Sequence, residues 1–494
     1  MKNECVIGID LGTTSVKVVA IDKEGTIISQ TSQFYEPVFG HAGEVEQEPD
    51  DWWNTTVIAI RDITKKVSQY TVEAIGLTGQ MHGIVLLDDM GCPIRRAILW
   101  NDQRAEEQAR QMERELGQKE VIRLTGNQIV TGFSALKLMW IKEKEPDIFM
   151  RIAHVLLPKD YIRYKLTNSF YTDVNDASGT LLFDVLKRQW SFEMVGYVGL
   201  KNCILPDILE CMDNSGVVLP NLAKELGLTE CVKVIAGAGD QAAAAVGMGV
   251  VDEGICNISL GTSGVVFTPS FSFHEDNIGL LHQFCFVQKN SWSLMGVMLS
   301  AAGSVQWWRN LTNDFIKNDD SSISKQNPLL FLPYLSGERT PHLDPLARGA
   351  FIGLHRTHSH AHVSRAILEG ISFALRDSFE LIQKIHIQID QFRITGGGAN
   401  NDLWMSILAD IFGMSIKRVD HFEGAAYGAA ILAAISIGMI TDLTSYKRLW
   451  AKHKLTSFEP RELQHDYYNE LYAIFKDGYH SIENLNRRLH QISR

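Results

Sequence analysis

Two hydroxyl-rich turns in this sequence have the composition of loops that hold phosphate oxygens. The first reads DLGTTSVK over residues 10–17, and the second reads LGTSGV over residues 260–265. Such a turn offers backbone N–H groups, hydroxyls and, in the first case, the carboxylate of Asp10, which together suit a nucleotide phosphate with its magnesium ion. An ordinary β-hairpin uses the same residue types. Because the turn occurs twice, between strand-like runs, the sequence favours two loops that clamp one polyphosphate from opposite sides.

A second acidic residue, Asp240, lies in the glycine-rich loop GAGDQAA after the apolar run VKVIA. The loop loosely matches the G-x-G-x-x-A pattern of dinucleotide sites, but the acidic residue expected about 20 positions later is not well placed. An acid beside a glycine-lined cavity suits a general base that takes a proton from a hydroxyl, whereas capping of the following helix is the structural alternative. No G-x-x-x-x-G-K-[ST] motif occurs, so a Walker A ATPase is not supported.

Further clusters combine side chains that bind sugars or approach nucleotides. Residues 80–83, QMHG, and 100–104, WNDQR, follow apolar runs, and sugar pockets use such hydrogen-bonding groups beside an aromatic face. A satisfied structural histidine is the alternative for His82. The glycines of residues 396–398 permit either close approach to a ligand or a tight strand–helix connection. The helix start predicted in SAAGSVQ, residues 300–306, favours anions.

Four neighbouring histidines raise the question of a metal site. They are His355, His358, His360 and His362, with no cysteine nearby, and their spacing fits no standard zinc pattern. The pattern favours a solvated loop before a helix, with a metal site as the alternative.

The elements that would position these residues alternate between strands and helices. Strands are predicted over residues 5–10, 16–22, 26–33, 74–78, 231–236 and 392–395, the first three forming an antiparallel meander. Helices are predicted from Asp51, with Asp50 or Asp51 as N-cap, after Asp240, over 299–312 and 361–387, from Asp402, and through most of 103–170 and 441–494. The echo between residues 11–16 and 260–265 predicts two halves of one architecture that meet near residues 247–256.

Length and composition limit the classes of protein to which the sequence can belong. With 494 residues and 45% hydrophobic content, the chain can form two large domains. A net charge of -11 argues against sequence-independent binding of nucleic acid. The N-terminus has no apolar signal segment, and the uncharged run 425–440 is short for a membrane span and suits a buried helix. Seven irregularly spaced cysteines predict free thiols. We therefore expect a cytoplasmic protein without a membrane segment.

The motifs in this order resemble those of the FGGY carbohydrate kinases over nearly the whole chain. The opening IGIDLGTTSVKVV is shared with the wider actin-like ATPase superfamily, whereas GQMHG, AILWNDQR, LPKDY, FLPYLSGERTPH and ITGGGANNDLW are more specific. Within the family, the combination of GQMHG, WNDQR and SGERTPH resembles the xylulokinases. The resemblance implies an α/β fold of two actin-like (ribonuclease H-like) ATPase domains flanking a deep cleft. Residues 1–247 would bind the sugar and carry the first phosphate loop, and residues 248–494 would bind the nucleotide and end in a helical tail.

The resemblance also implies an activity and a role for each site residue. The activity is transfer of the ATP γ-phosphoryl group to a terminal hydroxyl of a ketose, with D-xylulose as the expected acceptor and with ATP and Mg²⁺ required. Asp240 would be the catalytic base, and Asp10 would hold Mg²⁺ through water. The expected sugar-binding residues are Gln80, Met81, His82, Trp100, Asp102 and Gln241. The expected nucleotide-binding residues are Thr13, Thr14, Lys17, Gly261, Thr262, Ala302, Gln306, Gly397, Gly398, Asn400 and Asn401.

One residue departs from the family pattern, and several alternatives stay open. Xylulokinases commonly have Asn after the catalytic Asp, whereas this chain has Gln241, as glycerol kinases do. The longer amide arm changes the expected shape of the sugar pocket. The alternatives are an FGGY kinase for another ketose, a polyol or a sugar acid, a non-catalytic nucleotide-binding sugar sensor, and, more remotely, a nicotinamide enzyme. The expected partner is a small-molecule sugar, and because relatives often pair, a homodimer is compatible with the resemblance.

Overall fold

The N-terminal half opens with an antiparallel meander around which helices are added. The computed structural model describes residues 3–40, 43–201, 204–275, 279–313, 327–419 and 424–492. The strands of this half are β1 (Asn3–Leu11), β2 (Ser15–Ile21), β3 (Ile27–Phe34), β4 (Val38–Phe39), β5 (Val45–Gln47), β6 (Tyr70–Gly79), β7 (Val85–Leu87), β8 (Ala97–Ile98), β9 (His154–Leu156), β10 (Tyr171–Asp173), β11 (Phe183–Asp184), β12 (Gln189–Trp190), β13 (Asp207–Leu209), β14 (Asn214–Val217), β15 (Lys233–Ile235) and β16 (Ala238–Gly239). Its helices are α1 (Pro49–Lys66), α2 (Glu106–Glu115), α3 (Gln118–Thr125), α4 (Ser134–Lys144), α5 (Pro146–Met150), α6 (Pro158–Thr167), α7 (Val174–Ala177), α8 (Phe192–Val198), α9 (Pro220–Leu226) and α10 (Asp240–Gly247).

The C-terminal half repeats this plan with longer helices. Its strands are β17 (Ile255–Leu260), β18 (Gly264–Ser270), β19 (His282–Cys285), β20 (Trp292–Met298), β21 (Leu330–Leu332), β22 (Ala350–Ile352), β23 (Gln391–Thr395), β24 (Ile416–Val419) and β25 (Leu455–Phe458). Its helices are α11 (Ala302–Thr312), α12 (His360–Lys384), α13 (Asp402–Phe412), α14 (Gly424–Ser436), α15 (Leu443–Trp450) and α16 (Glu462–Ile492). Single 3₁₀ turns lie at Ser178–Thr180 and Gly397–Asn400.

Each half contains a seven-stranded sheet with the same central topology. The first sheet runs β14-β15-β6-β1-β2-β3, with β16 also paired to β6, and the second runs β19-β20-β18-β17-β23-β24-β25. In both, an antiparallel hairpin (β1–β2 or β17–β18) pairs on one side with a third antiparallel strand. On the other side, the first strand of the hairpin pairs with a parallel strand (β6 or β23). That strand pairs with a second parallel strand (β15 or β24), which in turn pairs with an antiparallel edge strand (β14 or β25). The internal repeat predicted from the two hydroxyl-rich turns is therefore confirmed.

Helices cover both faces of the first sheet, and one of them comes from the other half of the chain. Cys5, Ile7 and Ile9 of β1 belong to the buried cluster that includes Trp52 and Ile60 of α1. On the opposite face, α14 lies directly on the strands. A Cβ on Gly8 would lie 2.0 Å from the carbonyl oxygen of Ala426, and one on Gly428 would lie 1.7 Å from the carbonyl oxygen of Ala243 in α10. The buried helix expected over residues 425–440 is thus present, although it ends at Ser436 and leaves residues 437–440 outside it.

Several local predictions need correction. Helix α1 begins at Pro49 with Glu48 as N-cap, so Asp50 and Asp51 lie inside its first turn; proline is pre-organised for the first helical position. The C-terminal tail is not wholly helical, because β25 pairs antiparallel with β24 before α16 begins.

Two other predictions concern cysteines and membrane segments. Six cysteines are free thiols, as predicted, and Cys203 lies outside the described residues. Among the helices that the structure describes, none has the length and apolar character needed to cross a membrane.

Candidate active site

The two acidic residues singled out in the sequence flank the end of one central strand. Asp10 pairs with Thr78 of β6, and the next residue, Leu11, pairs with Gly79. On the other side of β6, Gly239 pairs with the same Gly79. Asp240 follows immediately as the first residue of α10. Because these three strands are parallel, their carboxyl ends meet at one edge of the sheet, and the two carboxylates lie beside each other there.

Burial raises the proton affinity of both carboxylates. Burial, together with the nearby charge of Asp240, raises the pKa of Asp10 to about 7, against an opposing effect of Lys17. Lys17 faces Asp10 across the β1–β2 ladder. Burial raises the pKa of Asp240 to about 6, although hydrogen bonds from the backbone and side chain of Gln241 favour its ionised form. The Oδ1 atom of Asp10 is buried and has no hydrogen-bond partner among the described residues.

The first hydroxyl-rich turn is tied to the residues predicted to bind sugar. The Thr13 hydroxyl donates to Oε1 of Gln80 at 3.3 Å and accepts from Nε1 of Trp100 at 3.1 Å. The Thr13 carbonyl accepts from Gln47 at 2.7 Å, and Gln47 accepts from Gln80 at 3.2 Å. Thr13 therefore links the turn to Gln80 and Trp100, whereas the side chain of Thr14 is exposed.

Met81 and His82 lie directly beyond the end of β6, next to the base. Met81 is buried, and a Cβ on Gly239 would lie 2.5 Å from its sulfur. His82 has a φ of +66°, which is unusual for a non-glycine residue. Its Nδ1 donates to the carbonyl of Gly179 at 2.7 Å, and burial holds the pKa of the ring well below its ordinary value. The imidazole is therefore neutral, with Nε2 as its acceptor atom.

A buried lysine holds the strained backbone at His82. Lys137 of α4 donates to the carbonyl of His82 at 2.6 Å and to the carbonyl of Gly132 at 2.6 Å. Ser134 donates to the same His82 carbonyl at 3.1 Å. The lysine is wholly buried, and this burial lowers its pKa to about 7. Its two short hydrogen bonds fix the orientation of residues 80–83, which we call the sugar-side loop because it carries residues predicted to bind sugar.

Asp102 is bonded within its own loop and to the strand β5. Its carboxylate accepts from the backbone N–H of Val45 at 2.6 Å and from the Nε and Nη2 atoms of Arg104 at 2.8 to 3.0 Å. Both oxygens are occupied, and the residue is buried. Asp102 therefore anchors the loop that carries Trp100, and its contact with the sugar stays a prediction.

Asn175 connects the base to the second sheet. Its Oδ1 accepts from the N–H of Gly239, the residue before Asp240, at 2.8 Å, and its Nδ2 donates to the carbonyl of Cys285 in β19 at 2.6 Å. The N–H of Cys285 donates to Ser178 at 3.0 Å. Asn127 makes an equivalent pair of bonds to the N–H and carbonyl of Gln283. Side chains of the N-terminal half thus complete the edge of β19 next to the base.

A cluster of buried charges supports the helix that carries Asn175. Asp160, Asp173 and Asp176 form the one group of carboxylate, histidine and cysteine side chains within the described residues that is spaced for a metal ion. The ammonium group of Lys159 lies at 2.9, 2.5 and 3.0 Å from these three carboxylates and so occupies that position. Asp173 also caps α7 by accepting from two backbone N–H groups at 2.9 Å. The cluster is an internal ion network rather than a metal site.

The second hydroxyl-rich turn packs on the start of α11. The carbonyl of Thr262 accepts from the N–H groups of Ala301 and Gly303 at 2.8 and 3.1 Å, and that of Gly261 accepts from Ala302 at 2.9 Å. The side chain of Thr262 is left exposed, as that of Thr14 is in the first turn. Gln306 is exposed one turn into the helix and donates to Asn310 at 2.6 Å.

The glycines after β23 lie beside this second turn. A Cβ on Gly396, which has a φ of +91°, would lie 2.5 Å from the carbonyl oxygen of Leu260, and one on Gly398 would lie 2.6 Å from Trp404. A Cβ on Gly397 would meet open space. Asn401 caps α13 by accepting from the N–H of Trp404 at 3.0 Å, and the side chain of Asn400 is exposed. The position after β23 matches that of Met81 after β6 in the first half.

The histidine run lies on the surface at the start of α12. His362 accepts from the backbone N–H of Ser359 at 3.2 Å and completes a capping box, while His355 and His358 pair within the preceding loop. These contacts use ring nitrogens in local hydrogen bonds, in agreement with the predicted solvated loop.

Sequence reasoning missed Lys137, Asn175 and Arg339. Lys137 gives a signal in retrospect, because a lysine inside the apolar run SALKLMW needs a buried partner. Asn175 gives none, since a single Asn in a short helix resembles any turn residue. Arg339 lies in the motif SGERTPH, which carries the resemblance but by itself assigns no role to this arginine.

Comparison with known proteins gives consistent matches along the chain. Residues 5–247 match the N-terminal domain of the FGGY family of carbohydrate kinases, and residues 256–437 match its C-terminal domain. A xylulose kinase of Staphylococcus epidermidis is 37% identical over 500 aligned positions that cover 99% of each chain. A ligand-bound xylulose kinase from Lactobacillus acidophilus superposes with a TM-score of 0.92 at 25% identity, covering 98% of this chain and 100% of that one. A gluconate kinase from the same organism gives a TM-score of 0.90 at 25% identity, with coverage of 97% and 98%.

Proposed function

The chain belongs to the FGGY family of carbohydrate kinases, with the two-domain, actin-like fold of that family, and from this premise we propose that it phosphorylates D-xylulose at its terminal hydroxyl with ATP as donor. The observation that carries the proposal is the position of Asp240. It begins α10 at the edge of the sheet where β6 ends. Asp10 lies on the other side of that strand end, and Met81 packs against Gly239, the residue before Asp240. A base, a phosphate turn and a sugar-side loop thus converge on one place.

Asp240 acts as the general base on the sugar hydroxyl. With a pKa of about 6, it is mostly ionised at neutral pH yet basic enough to accept a proton as the hydroxyl attacks. The oxygen–phosphorus bond to the sugar forms as the bond from the γ-phosphorus to the β–γ bridging oxygen breaks, and ADP leaves. The transition state of phosphoryl transfer is loose, so positioning and charge neutralisation supply most of the acceleration.

Asp10 fits a role beside a magnesium ion. Its unpartnered, buried Oδ1 and its raised pKa describe a carboxylate placed to face a cation. Magnesium, when bound with the nucleotide, would neutralise charge on the phosphate oxygens, and Asp10 would hold it through water. The exposed hydroxyls of Thr14 and Thr262, with the N–H groups of their turns, are assigned to the β- and γ-phosphates, and Lys17 adds a positive charge.

The nucleotide is assigned to the C-terminal side of the site. Gly397 has open space around it and Gly398 lies close to the strand end, so a flat base could approach the backbone there. Asn400 and Asn401 lie at the adjoining helix start. Ala302 begins α11 with its N–H bonded to the second turn at Gly261, and Gln306 is exposed one turn further along the same helix.

The choice of D-xylulose depends on relatives rather than on geometry. The Staphylococcus epidermidis relative at 37% identity is named a xylulose kinase, but the fold matches a gluconate kinase almost as well. Gln241 follows the base directly and replaces the Asn usual in xylulokinases, so its longer side chain changes the shape of the sugar pocket. ADP release should therefore be measured with D-xylulose, L-xylulose, D-ribulose, L-ribulose, glycerol and gluconate. Preference for D-xylulose supports the proposal, another preferred acceptor changes the substrate, and ATP binding without ADP release favours a sugar sensor.

Three further expectations belong to the same proposal. We place the domain boundary within residues 247–256, which is supported by the end of α10 and by the gap between the two family matches. A homodimer and a cytoplasmic location follow the pattern of such kinases. Sedimentation of the purified chain and fractionation of cells test these two expectations directly.

A further inference from the structure

Arg339 carries a guanidinium group for which the described part of the chain offers no hydrogen-bond or ion-pair partner. Its side chain makes no hydrogen bond, ion pair or ring contact with any of the residues described, although the residue is largely buried. The neighbouring carboxyl group, Glu338, forms no contact ion pair with it, and its charge raises the pKa of Arg339 only against a larger lowering by burial. One of its oxygens accepts from the backbone N–H groups of Leu299 and Arg339 at 2.9 and 2.7 Å. Burial raises the pKa of Glu338 to about 8, so the group is mostly neutral at pH 7.

The guanidinium lies on the sugar side of the site. A Cβ placed on Gly132 would lie 3.6 Å from Nη2 of Arg339 and 2.5 Å from the carbonyl oxygen of Trp100. Gly132 also accepts the hydrogen bond from Lys137 that orients the loop at His82. Arg339, contributed by the C-terminal half, thus reaches a wall that the N-terminal half builds.

Aromatic rings surround the same space. His82 lies 4.6 Å from the ring of Phe133, and His282 of β19 lies 5.5 Å from that ring. Burial and the positive charge of Arg339 both lower the pKa of His282, to about 3. Arg339 lowers the pKa of His82 and Lys137 in the same way, so both histidines are neutral beside this cation.

Arg339 lies beside the loop of His82 and the wall formed by Gly132 and Trp100. It contributes to the pKa shifts of His82, His282 and Lys137. A guanidinium group has five N–H donors and no acceptor, and a buried one without a partner is costly. A bound sugar whose reacting hydroxyl lies at Asp240 can supply acceptor oxygens to this group from its other end.

We propose that Arg339 is a specificity-determining residue that donates to the C2 carbonyl and C1 hydroxyl oxygens of a ketose, so that the enzyme selects ketoses over the corresponding polyols. This inference rests on the proposed sugar kinase activity. A planar guanidinium can donate two parallel bonds to neighbouring oxygens, and a carbonyl accepts them without the loss of rotamer freedom that a flexible polyol suffers. Reduction at C2 replaces the planar acceptor by a tetrahedral carbinol and misplaces one of the two oxygens.

The test compares D-xylulose with the two pentitols formed by reduction of its C2 carbonyl. In Arg339→Met, kcat/KM for D-xylulose should fall about 10- to 100-fold, as expected for loss of hydrogen bonds from a charged group, while kcat/KM for the pentitols falls much less. The preference for the ketose therefore shrinks. Arg348→Met is the matched control, because Arg348 lies in the same segment, is exposed and donates only to local carbonyls; it should leave the preference unchanged.

Thermal unfolding separates a binding role from a structural one. Because no described residue bonds to the guanidinium in the free protein, Arg339→Met should unfold at the same or a higher temperature than wild type without sugar. It should also lose most of the stabilisation that D-xylulose confers. A structural role would lower the unfolding temperature of the free protein and leave the preference unchanged. Arg339→Lys, which keeps the charge but not the planar fork, should fold and lose part of the preference.

Two negative results have different meanings. If wild type phosphorylates no ketose, the proposed function fails, and the inference falls with it. If wild type prefers D-xylulose and both Arg339 variants retain the same ketose-to-pentitol ratio, the inference alone is overturned. Should another ketose be the better acceptor, the same ratio is measured with that ketose and its own reduction products.

Discussion

Replacing Asp10 by Asn should make the free protein more stable, and increasingly so as the pH rises. The native structure holds this carboxyl group with a pKa of about 7, whereas an Asp in the unfolded chain titrates near pH 4. The folded state therefore binds the proton more tightly. Stability attributable to this group is greatest below the unfolded pKa and declines as the pH rises through the folded pKa. The amide introduced by Asp10→Asn carries no charge at any pH and escapes this decline.

The size of the effect follows from the two pKa values. A difference of about 3 pKa units corresponds to about 4 kcal/mol once both states are ionised, at pH 8, and to about 1.5 kcal/mol at pH 5. Asp10 keeps some exposure to the site, and water there reduces the penalty. We therefore expect Asp10→Asn to raise the free energy of unfolding by about 2 kcal/mol at pH 8 and by less than about 1 kcal/mol at pH 5.

Urea unfolding without nucleotide or magnesium, at pH 5 and pH 8, measures this difference. Asp89→Asn is the control, because Asp89 is exposed and its substitution should change stability little at either pH. The same Asp10 variant should lose most of its kinase activity, since a stabilising change at a functional carboxylate removes the charge that function requires. A variant that is destabilised at pH 8, or equally stabilised at both pH values, would refute the argument that Asp10 is a strained anion awaiting a cation.

Three other predictions follow from contacts around the base and the sugar-side loop. Asn175→Ala should lower kcat about 10-fold or more with the Kd for ATP unchanged, because the N–H of Gly239 and the carbonyl of Cys285 each lose a hydrogen bond worth about 1 kcal/mol. If the acid limb of its pH–rate profile is identical to that of wild type, Asn175 has a merely structural role. Ser178→Ala serves as a milder comparison. Lys137→Met should raise the KM for the sugar much more than the KM for ATP, because the backbone of His82 loses its strongest donor; equal changes in the two KM values would contradict this. In wild type, kcat/KM for the sugar should decline as the pH falls below about 6, because Asp240, with a pKa of about 6, takes up one proton and can no longer act as the base. A profile that stays flat down to pH 4 would be inconsistent with that role.

The fold was largely predictable because its signals are local and repeated. The two hydroxyl-rich turns indicated a duplicated hairpin, and the pairing of β1 with β6 and of β17 with β23 bears this out. The apolar, small-residue run that forms α14 indicated a buried helix. Its location could not be foreseen, because the contact of α14 with Gly8 joins residues from opposite ends of the chain.

The site was predictable only where a residue type is itself a signal. An acid in a glycine-rich loop and a turn of threonines are informative from sequence alone. By contrast, the pairing of Asp102 with Arg104 depends on how one loop folds on itself. The bridge made by Asn175 and the isolation of Arg339 depend on the meeting of two halves. Long-range pairing of this kind has no counterpart in spacing or composition.

The direct test of the account is the turnover of Asp240→Asn with ATP and D-xylulose. Asn matches Asp in size but cannot accept the hydroxyl proton, so ADP formation should fall by about 10²- to 10⁴-fold. The Kd for magnesium ATP should stay at the wild-type value, because the phosphate turns are untouched. A folded variant that turns over sugar near the wild-type rate would contradict the assignment of the base.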